Sequence, residues 1–499
     1  MFLLGYDIGS SSIKVALVNG DTNQVIKQTQ YPEVEMEIQS PHRGWAEQHP
    51  EDWWNYLTAA TKKLLNHSTV DPQLITAIGL SYQMHGLVLL DKNKKVLRPS
   101  IIWCDSRAVP QGERALELLG KEYCYGALGN APGNFTASKL MWVKENEPEI
   151  YDRIDQIMLP GDYIAMKMTG TSLTTPTGLS EGIFWDFRTS SLSEKLLSDL
   201  GINSALLPTV VDSFSKQGYL SSEAATRLGL NTSTSIGYRA GDQPNNALSL
   251  GVLNPGQIAG TGGTSGVIYG VHDQLTADRS DRTNTFAHVN YTSQHPNVGV
   301  LLCINGAGSM YRWINQQIAG SAVDYSEMEN ALQKIPIGSE GISVFPFGNG
   351  AERLFGNRDL GAQIMGIQLN RHHQSHIYRA GLEGIAFSFY YGIEAMKEMG
   401  MPLQQMRVGN DNLFQSKVFS QTISNLMEGP IEMVQTTGAI GASRAAGYTV
   451  GQFSSLEEAF SGDPLVKKFE PDADLSLHQE AYKNWKNVLD NTLKNHTDE

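Results

Sequence analysis

A carboxylate at the end of an apolar run opens the chain. Phe2 to Tyr6 is followed by Asp7, then by the tight stretch Gly9-Ser10-Ser11-Ser12, and a second apolar run resumes at Ile13 and reaches Val18. Alternation of Ile13, Val15 and Leu17 with Lys14, Ala16 and Val18 predicts a half-buried strand. The unit therefore reads as strand, turn, strand, with Asp7 at the mouth of the turn. Such a turn aims several backbone N–H groups and hydroxyls at one point, which suits phosphate oxygens. A carboxylate beside it can hold Mg²⁺ through water, as phosphoryl transfer requires. The stretch is neither common nucleotide fingerprint: it has no G-x-x-x-x-G-K-[ST] and no G-x-G-x-x-G opening a helix. Taken alone, it reads more readily as an ordinary hairpin with a polar turn.

The same plan returns half a chain later. Gly256-Gln257-Ile258-Ala259-Gly260 predicts a strand, Thr261-Gly262-Gly263-Thr264-Ser265-Gly266 a second Gly/Thr/Ser turn, and Val267 to Val271 the returning strand. Just before it, Ala240-Gly241-Asp242-Gln243-Pro244-Asn245-Asn246 carries a second isolated aspartate. Two such units point to two similar lobes facing a cleft, each giving one anion-cradling turn. This is an architectural repeat and not a short-period solenoid.

Other polar residues read ambiguously one at a time. His85 lies where a buried strand, Ile75 to Leu80, runs into Ser81-Tyr82-Gln83-Met84-His85-Gly86. Asp105 and Arg107 follow Trp103 in Ile101-Ile102-Trp103-Cys104-Asp105-Ser106-Arg107 and could form a local ion pair and nothing more. Clustered after strand ends beside an aromatic ring, these residues would suit a polyhydroxylated ligand, whose hydroxyls each want a donor and an acceptor. His372 and His376 share a helix face, but no carboxylate or cysteine completes a metal set, so a solvated or capping cluster is expected.

The elements that must position these groups follow from periodicity and punctuation. Val25 to Val34 predicts a third strand of an opening meander, and Trp53, Leu57, Ala60 and Leu64 a helix. Residues 110–235 read as mostly helical. Helices are also expected through His376 to Phe389 and from Ser416 to Leu426 after the strand end Val408-Gly409-Asn410-Asp411-Asn412. A small-residue helix opens at Gln435 to Ser443, and the tail after Asp472 reads as polar, partly helical and peripheral. At 499 residues the chain is too long for one core. Hydrophobic content of 40% and charged content of 18% fit a soluble globular protein. A net charge of −14 argues against a nucleic-acid or anionic-membrane binder, though not against a small anion in a local site. The three cysteines, Cys104, Cys124 and Cys303, fit neither a zinc spacing nor a disulfide framework, which points to a reducing cytoplasm. The N-terminus has no basic leader region, and no stretch reaches the ~18 apolar residues of a membrane span.

These motifs, in this order, resemble those of the FGGY family of carbohydrate kinases within the actin-like ATPase superfamily, from Asp7 to about Tyr448. Asp7 to Ser12 resembles the first phosphate motif and Thr261 to Gly266 the second. Gly44-Trp45-Ala46-Glu47-Gln48 with Pro50-Glu51-Asp52-Trp53-Trp54 is similar to a family hallmark. Phe135 to Trp142 and Gly361 to Glu383 resemble the two family signatures. Gln83-Met84-His85-Gly86 and Trp103-Cys104-Asp105-Ser106-Arg107 resemble blocks of the xylulokinase branch. The resemblance implies an α/β fold of two similar ribonuclease H-like (actin-like ATPase) lobes around a central cleft, residues 1–243 and 244–499. It implies ATP and Mg²⁺ as cofactors and phosphorylation of a ketopentose, D-xylulose first. Asp242 would be the base and Asp7 the metal ligand. Gly9, Ser10, Ser11, Ser12, Lys14, Gly263, Thr264 and Ser265 would hold the phosphates, and Gly409, Asn412 and Ser416 would border the adenosine. Met84, His85, Trp103, Asp105, Asp242 and Asn245 would hold the sugar. The resemblance also implies a homodimer, with no nucleic-acid or membrane partner. Gln243 stands where the branch commonly has Asn, and Asn410-Asp411 interrupt a usual glycine run. Kinases of ribulose, L-xylulose, glycerol or gluconate type, or a catalytically silent sugar-sensing relative, therefore stay open.

Overall fold

The computed structural model describes residues 1–320 and 323–495. Two sheets form its frame. The first contains β1 (Phe2–Ile8), β2 (Ile13–Asn19), β3 (Val25–Tyr31), β4 (Ile75–Tyr82) and β5 (Ser235–Gly241), in the spatial order β3-β2-β1-β4-β5. The second contains β6 (Gln257–Gly262), β7 (Gly266–His272), β8 (Asn284–Ala287), β9 (Val298–Ile304), β10 (Gln405–Gly409), β11 (Ile431–Val434) and β12 (Leu465–Phe469), in the order β8-β9-β7-β6-β10-β11-β12. In each sheet three antiparallel strands are continued by two parallel ones, so β9-β7-β6-β10-β11 repeats β3-β2-β1-β4-β5. The expected pair of similar α/β lobes is what the chain forms.

Sequence explains the sheet positions. β4 is buried almost throughout, as a central parallel strand covered on both faces must be. β3 is largely exposed and carries Lys27, Gln28 and Gln30, the polar side chains that protect an edge. The helix α1 (Pro50–Asn66) starts with Pro50 at its first position, Glu51 and Asp52 in its first turn, and a cap in which His49 Nδ1 accepts from Glu51 N–H. It buries Trp53, Trp54, Leu57, Ala60 and Leu64 against the first lobe.

The remaining helices that matter here are α2 (Pro176–Glu181), α3 (Asp242–Ser249), α4 (Gln374–Glu398), α5 (Gly438–Thr449) and α6 (Ser476–Asn495). α3 follows the last parallel strand of the first sheet and α5 follows β11. They pack on each other, and α5 lies across β1 and β4 of the opposite lobe. That contact requires glycine: a β-carbon on Gly79 would lie 1.8 Å from the Ala442 carbonyl oxygen, and one on Gly5 equally close to that of Ala439. The strand ends bearing the aspartates are thereby clamped by helices shared between the lobes.

Residues 110–235 are mostly helical as expected, with the two- and three-residue strands Gln156–Met158, Leu173–Thr174, Trp185–Asp186, Ser191–Leu192 and Thr209–Val210 between the helices and the start of β5 at their end. One expectation is corrected. The tail is not peripheral: α6 buries Ala481, Tyr482, Trp485 and Leu489 in the core of the second lobe, and Trp485 Nε1 donates to the Val344 carbonyl at 2.9 Å. No helix among the described residues is long and apolar enough to cross a membrane.

Candidate active site

The register of the first sheet places Asp7 opposite Lys14 on β2 and beside Ser81 on β4. Ser81 Oγ donates to Asp7 Oδ1 at 3.0 Å. A cavity of about 430 Å³ opens over this strand end. From the first lobe it is lined by Asp7, the Gly9 to Ser12 turn, Lys14, Gln83 and Trp103. Asp242 and Gln243 come from the start of α3, Gly260 and Thr261 from β6, and Gly409 and Asp411 from the end of β10. The turn is closed by Gly9 N–H donating to the Ser12 carbonyl at 3.1 Å. Trp103, 53% exposed, donates from Nε1 to Ser10 Oγ at 3.3 Å.

Asp242 is the first residue of α3 and is half-buried. Its carboxyl is pushed up to about 7. Burial is the main cause and the negative Asp7 the next, while the Gln243 backbone and side chain and the Lys14 charge pull the other way. The negative Asp7 across the cavity thus disfavours ionisation of Asp242.

A second cavity, about 580 Å³, adjoins the first. Gly260 and Thr261 of β6 line one, while Gly262 and the following Gly263 and Thr264 line the other. Gly409 and Asp411 likewise face the first, and Asn412 and Ser416 the second. The second turn is fixed from behind: Gly308 N–H donates to Gly263 O and Ser309 N–H to Thr264 O, both at 3.1 Å. Asn246 Nδ2 donates to Thr261 Oγ1 at 3.0 Å, tying α3 to the same strand. Consecutive residues of β6 and of the segment after β10 thus face the two cavities, which carries the walls from the Asp7 and Asp242 pair toward the second lobe.

Several of the sequence-derived candidates do not line these walls in the way expected. Asp105 is fully buried and its carboxylate is saturated: Oδ2 accepts from Ala46 N–H and Arg107 Nη2, both at 2.6 Å, and Oδ1 from Arg107 N–H at 2.8 Å. It forms a buried ion pair and is not among the residues that line the cavity. Asn245 is buried and donates from Nδ2 to the Gly438 carbonyl at 3.0 Å, joining α3 to α5, while its neighbour Asn246 takes the cavity wall. Ser265 Oγ donates to the Asn305 carbonyl at 3.4 Å. Met84 is buried beside Gly241, behind Asp242. His85 sits behind the same wall in left-handed backbone conformation (φ 62°), its ring between Phe135 and Phe286. A carbonyl can only accept, so His85 Nδ1 donates to Glu181 O at 2.9 Å and Nε2 keeps its lone pair. Burial above all, then the Lys139 charge, pushes its pKa down to about 3, so the ring stays neutral.

The sequence did not point to Ser81 or Asp411 as wall residues, because their places follow from strand register and from how β10 ends. The histidine cluster behaves as expected: His372 Nδ1 accepts from Gln368 N–H and His376 Nδ1 from His373 N–H. Among the described residues no group of three or more His, Cys, Asp or Glu side chains is placed to hold a metal.

Comparison with known proteins agrees with this geometry. The N-terminal domain of the FGGY family of carbohydrate kinases matches residues 2–249, and the C-terminal domain of that family matches 258–450. The chain is 30% identical over 468 residues to a xylulose kinase of Bacillus subtilis (strain 168), covering 92% of this chain and 90% of the relative. The fold superposes on a xylulose kinase from Rhodospirillum rubrum with a TM-score of 0.88 at 22% identity, covering 98% of both chains. It superposes on a Plasmodium falciparum glycerol kinase with ADP with a TM-score of 0.87 at 22% identity, covering 99% of this chain and 98% of the other. With both family domains matched in order and a full-length relative at this identity, the chain belongs to the FGGY family of carbohydrate kinases, in the branch that holds the xylulose kinases, and is a phosphotransferase.

Proposed function

We propose that the protein transfers the γ-phosphoryl group of ATP to the primary hydroxyl of a ketopentose, turning D-xylulose into D-xylulose 5-phosphate. The observation that carries this reading is the pairing of Asp7 and Asp242 in one cavity, with Thr264, Asn412 and Ser416 lining a second whose walls continue from the same strand ends. A sugar hydroxyl is a poor nucleophile while protonated, and Asp242 accepts its proton as the oxygen attacks. Because the transition state is loose, the proton leaves late and positioning supplies most of the rate. The Gly9 to Ser12 and Gly263 to Thr264 turns hold phosphate oxygens, and Lys14 adds positive charge. His85 offers neutral Nε2 as an acceptor to a sugar hydroxyl, with Trp103 over the cleft mouth.

Asp7 fits Mg²⁺: it offers hard oxygen donors, and no Lys or Arg pairs with it among the described residues. When bound, Mg²⁺ neutralises the phosphate oxygens and so favours their transfer. Mg²⁺ needs only one or two carboxylates besides phosphate oxygens, which Asp7 with a bound nucleotide would supply.

Since the glycerol kinase matches the fold as well as the xylulose kinase does, fold similarity does not select the acceptor. The test is ADP release by the purified protein with Mg²⁺-ATP and D-xylulose, L-xylulose, D-ribulose, L-ribulose, glycerol or gluconate, against a blank without acceptor. The expected result is a kcat/KM for D-xylulose well above the rest. Preference for another acceptor keeps the kinase and overturns the substrate.

A further inference from the structure

Glu181, the last residue of α2, touches both His85 and the backbone that leads into Asp242. Its backbone carbonyl accepts from His85 Nδ1 at 2.9 Å. Its side chain runs toward the base: a β-carbon on Gly241 would lie 2.4 Å from Glu181 Oε2 and 2.6 Å from Met84 Cγ. Gly241 immediately precedes Asp242, so the Glu181 carboxyl occupies the space on which the backbone leading into the base rests.

Glu181 is 1% exposed, and neither of its carboxyl oxygens has a well-formed hydrogen bond among the described residues. The Tyr82 hydroxyl, likewise buried, is the neutral donor that faces the Glu181 carboxyl. An ionised carboxylate is not sustained in such a place without a compensating cation. The nearby cations are committed elsewhere. Arg239 Nε lies 3.1 Å from Asp162 Oδ1, and Lys139 Nζ donates to the carbonyls of His85 and Ile102 at 2.8 and 3.0 Å. Burial first, then the negative charges of Asp242 and Asp162, push the Glu181 carboxyl well above the ordinary carboxylate range, so it keeps its proton. A buried neutral carboxyl with no cation partner, set against the residue that precedes the base, calls for a function.

We propose that Glu181 is a positioning residue for the acceptor reaction: through its carbonyl it sets the His85 ring, and through its neutral carboxyl it sets Gly241 and hence the Asp242 carboxylate, holding acceptor and base in one register. This rests on the reading of Asp242 as base and His85 as acceptor contact. A misplacement of about 1 Å at such a point costs roughly 100-fold in rate.

The experiment compares kcat, acceptor KM, ATP KM and the pH profile of kcat/KM for the wild-type protein, E181Q and E181A, each well below its own melting temperature. Gln keeps the shape and neutrality of a protonated carboxyl, so E181Q is expected within about threefold of wild type with an unmoved pH midpoint. E181A is expected to lose roughly 10–100-fold in kcat with ATP KM unchanged. If E181A does not fold, E181D, which withdraws the carboxyl by one methylene, is expected to show the same loss. Wild-type kcat in E181A or E181D overturns the proposal, because mere filling of a core would move stability and not rate. An E181Q whose pH midpoint shifts, or whose rate falls as far as that of E181A, also overturns it, because charge and not position would then be at work. No turnover by the wild-type protein with any acceptor would overturn the kinase reading and this inference together; normal turnover in E181A overturns the inference alone.

Discussion

Two groups of carboxylates in the first lobe are built from the same residue types and end in opposite states. Around Asp105, every charge has a partner. Arg107 bonds Asp105 at 2.6 Å and Glu47 at 2.7 Å, Arg98 bonds Glu47 and reaches Glu147 at 2.9 Å, and Arg107 lies over the Trp45 ring at 3.7 Å. Around Asp7 and Asp242, two carboxyl groups share a cavity with one nearby lysine and a few hydroxyls. The first group is closed and has nothing left to bind with. The second is short of positive charge and of donors, which a metal-bound nucleotide and an acceptor hydroxyl would supply. Residue type does not separate a structural acid from a working one; the count of partners left unmade does.

The largest expected break in this contrast is in activity. Asp242→Asn should lower kcat by about 10²–10⁴-fold while the protein stays folded, because Asn keeps the shape at the start of α3 and loses the base. Steady-state ADP release, with circular dichroism as the folding control, checks it. Retained turnover would remove Asp242 from the base role. The matching change in the other group should fall on stability. Asp105→Ala leaves Arg107 buried without its partner and is expected to cost about 3–5 kcal/mol in urea unfolding. The fraction still folded should turn over near the wild-type rate. If that fraction were inactive while stability held, Asp105 would belong with the cleft after all.

That contrast also marks how far the sequence could be read. Asp7, its turn and Asp242 were legible because each lies where an apolar run stops, and the turn chemistry is local. The lobe repeat was legible for the same reason. Asp105 was not: Arg107 is two residues away, but the Ala46 N–H that completes its shell comes from 59 residues upstream, through a chain path no local pattern encodes. Asn245 and Asn246 were indistinguishable until α3 fixed which faces the cleft. Glu181 lies in Gly178-Leu179-Ser180-Glu181-Gly182, which carries no motif, and gains its place only where α2 meets β5. The tail was a different failure. Tyr482, Trp485 and Leu489 stand at helical spacing, and that signal was outweighed by the polarity around them.

A smaller effect should sharpen the assignment of the wall behind Asp242. His85→Ala removes a neutral acceptor packed between Phe135 and Phe286. It is expected to raise the acceptor KM about tenfold, the scale of one lost hydrogen bond, with a lesser change in kcat and none in the ATP KM. Initial rates over a matrix of acceptor and ATP concentrations separate these. An unchanged acceptor KM would return His85 to a purely structural role beside Glu181.

The smallest expected effect is thermodynamic and reads the raised Asp242 carboxyl directly. In the unfolded chain Asp242 loses its proton near the ordinary carboxylate value of about 4. In the folded, ligand-free protein its carboxyl holds the proton until pH rises to about 7. Between those values the folded state binds more protons than the unfolded one, so this group's contribution to stability is fully present below about pH 4 and is lost as pH rises through about 7. The amide introduced by Asp242→Asn carries no such proton. The melting temperature of this variant relative to wild type is therefore expected to be similar near pH 4 and to climb by a few degrees by pH 8, where the wild type must hold Asp7 and Asp242 ionised together. Scanning calorimetry of both proteins in low-ionic-strength buffers measures it. Mg²⁺ added at pH 8 should narrow the gap by supplying the charge that the cleft lacks. A gap that stays constant from pH 4 to pH 8 would mean that neither burial nor the Asp7 charge raises the Asp242 carboxyl in the folded protein, and the cleft would then differ from the Asp105 cluster only in being open.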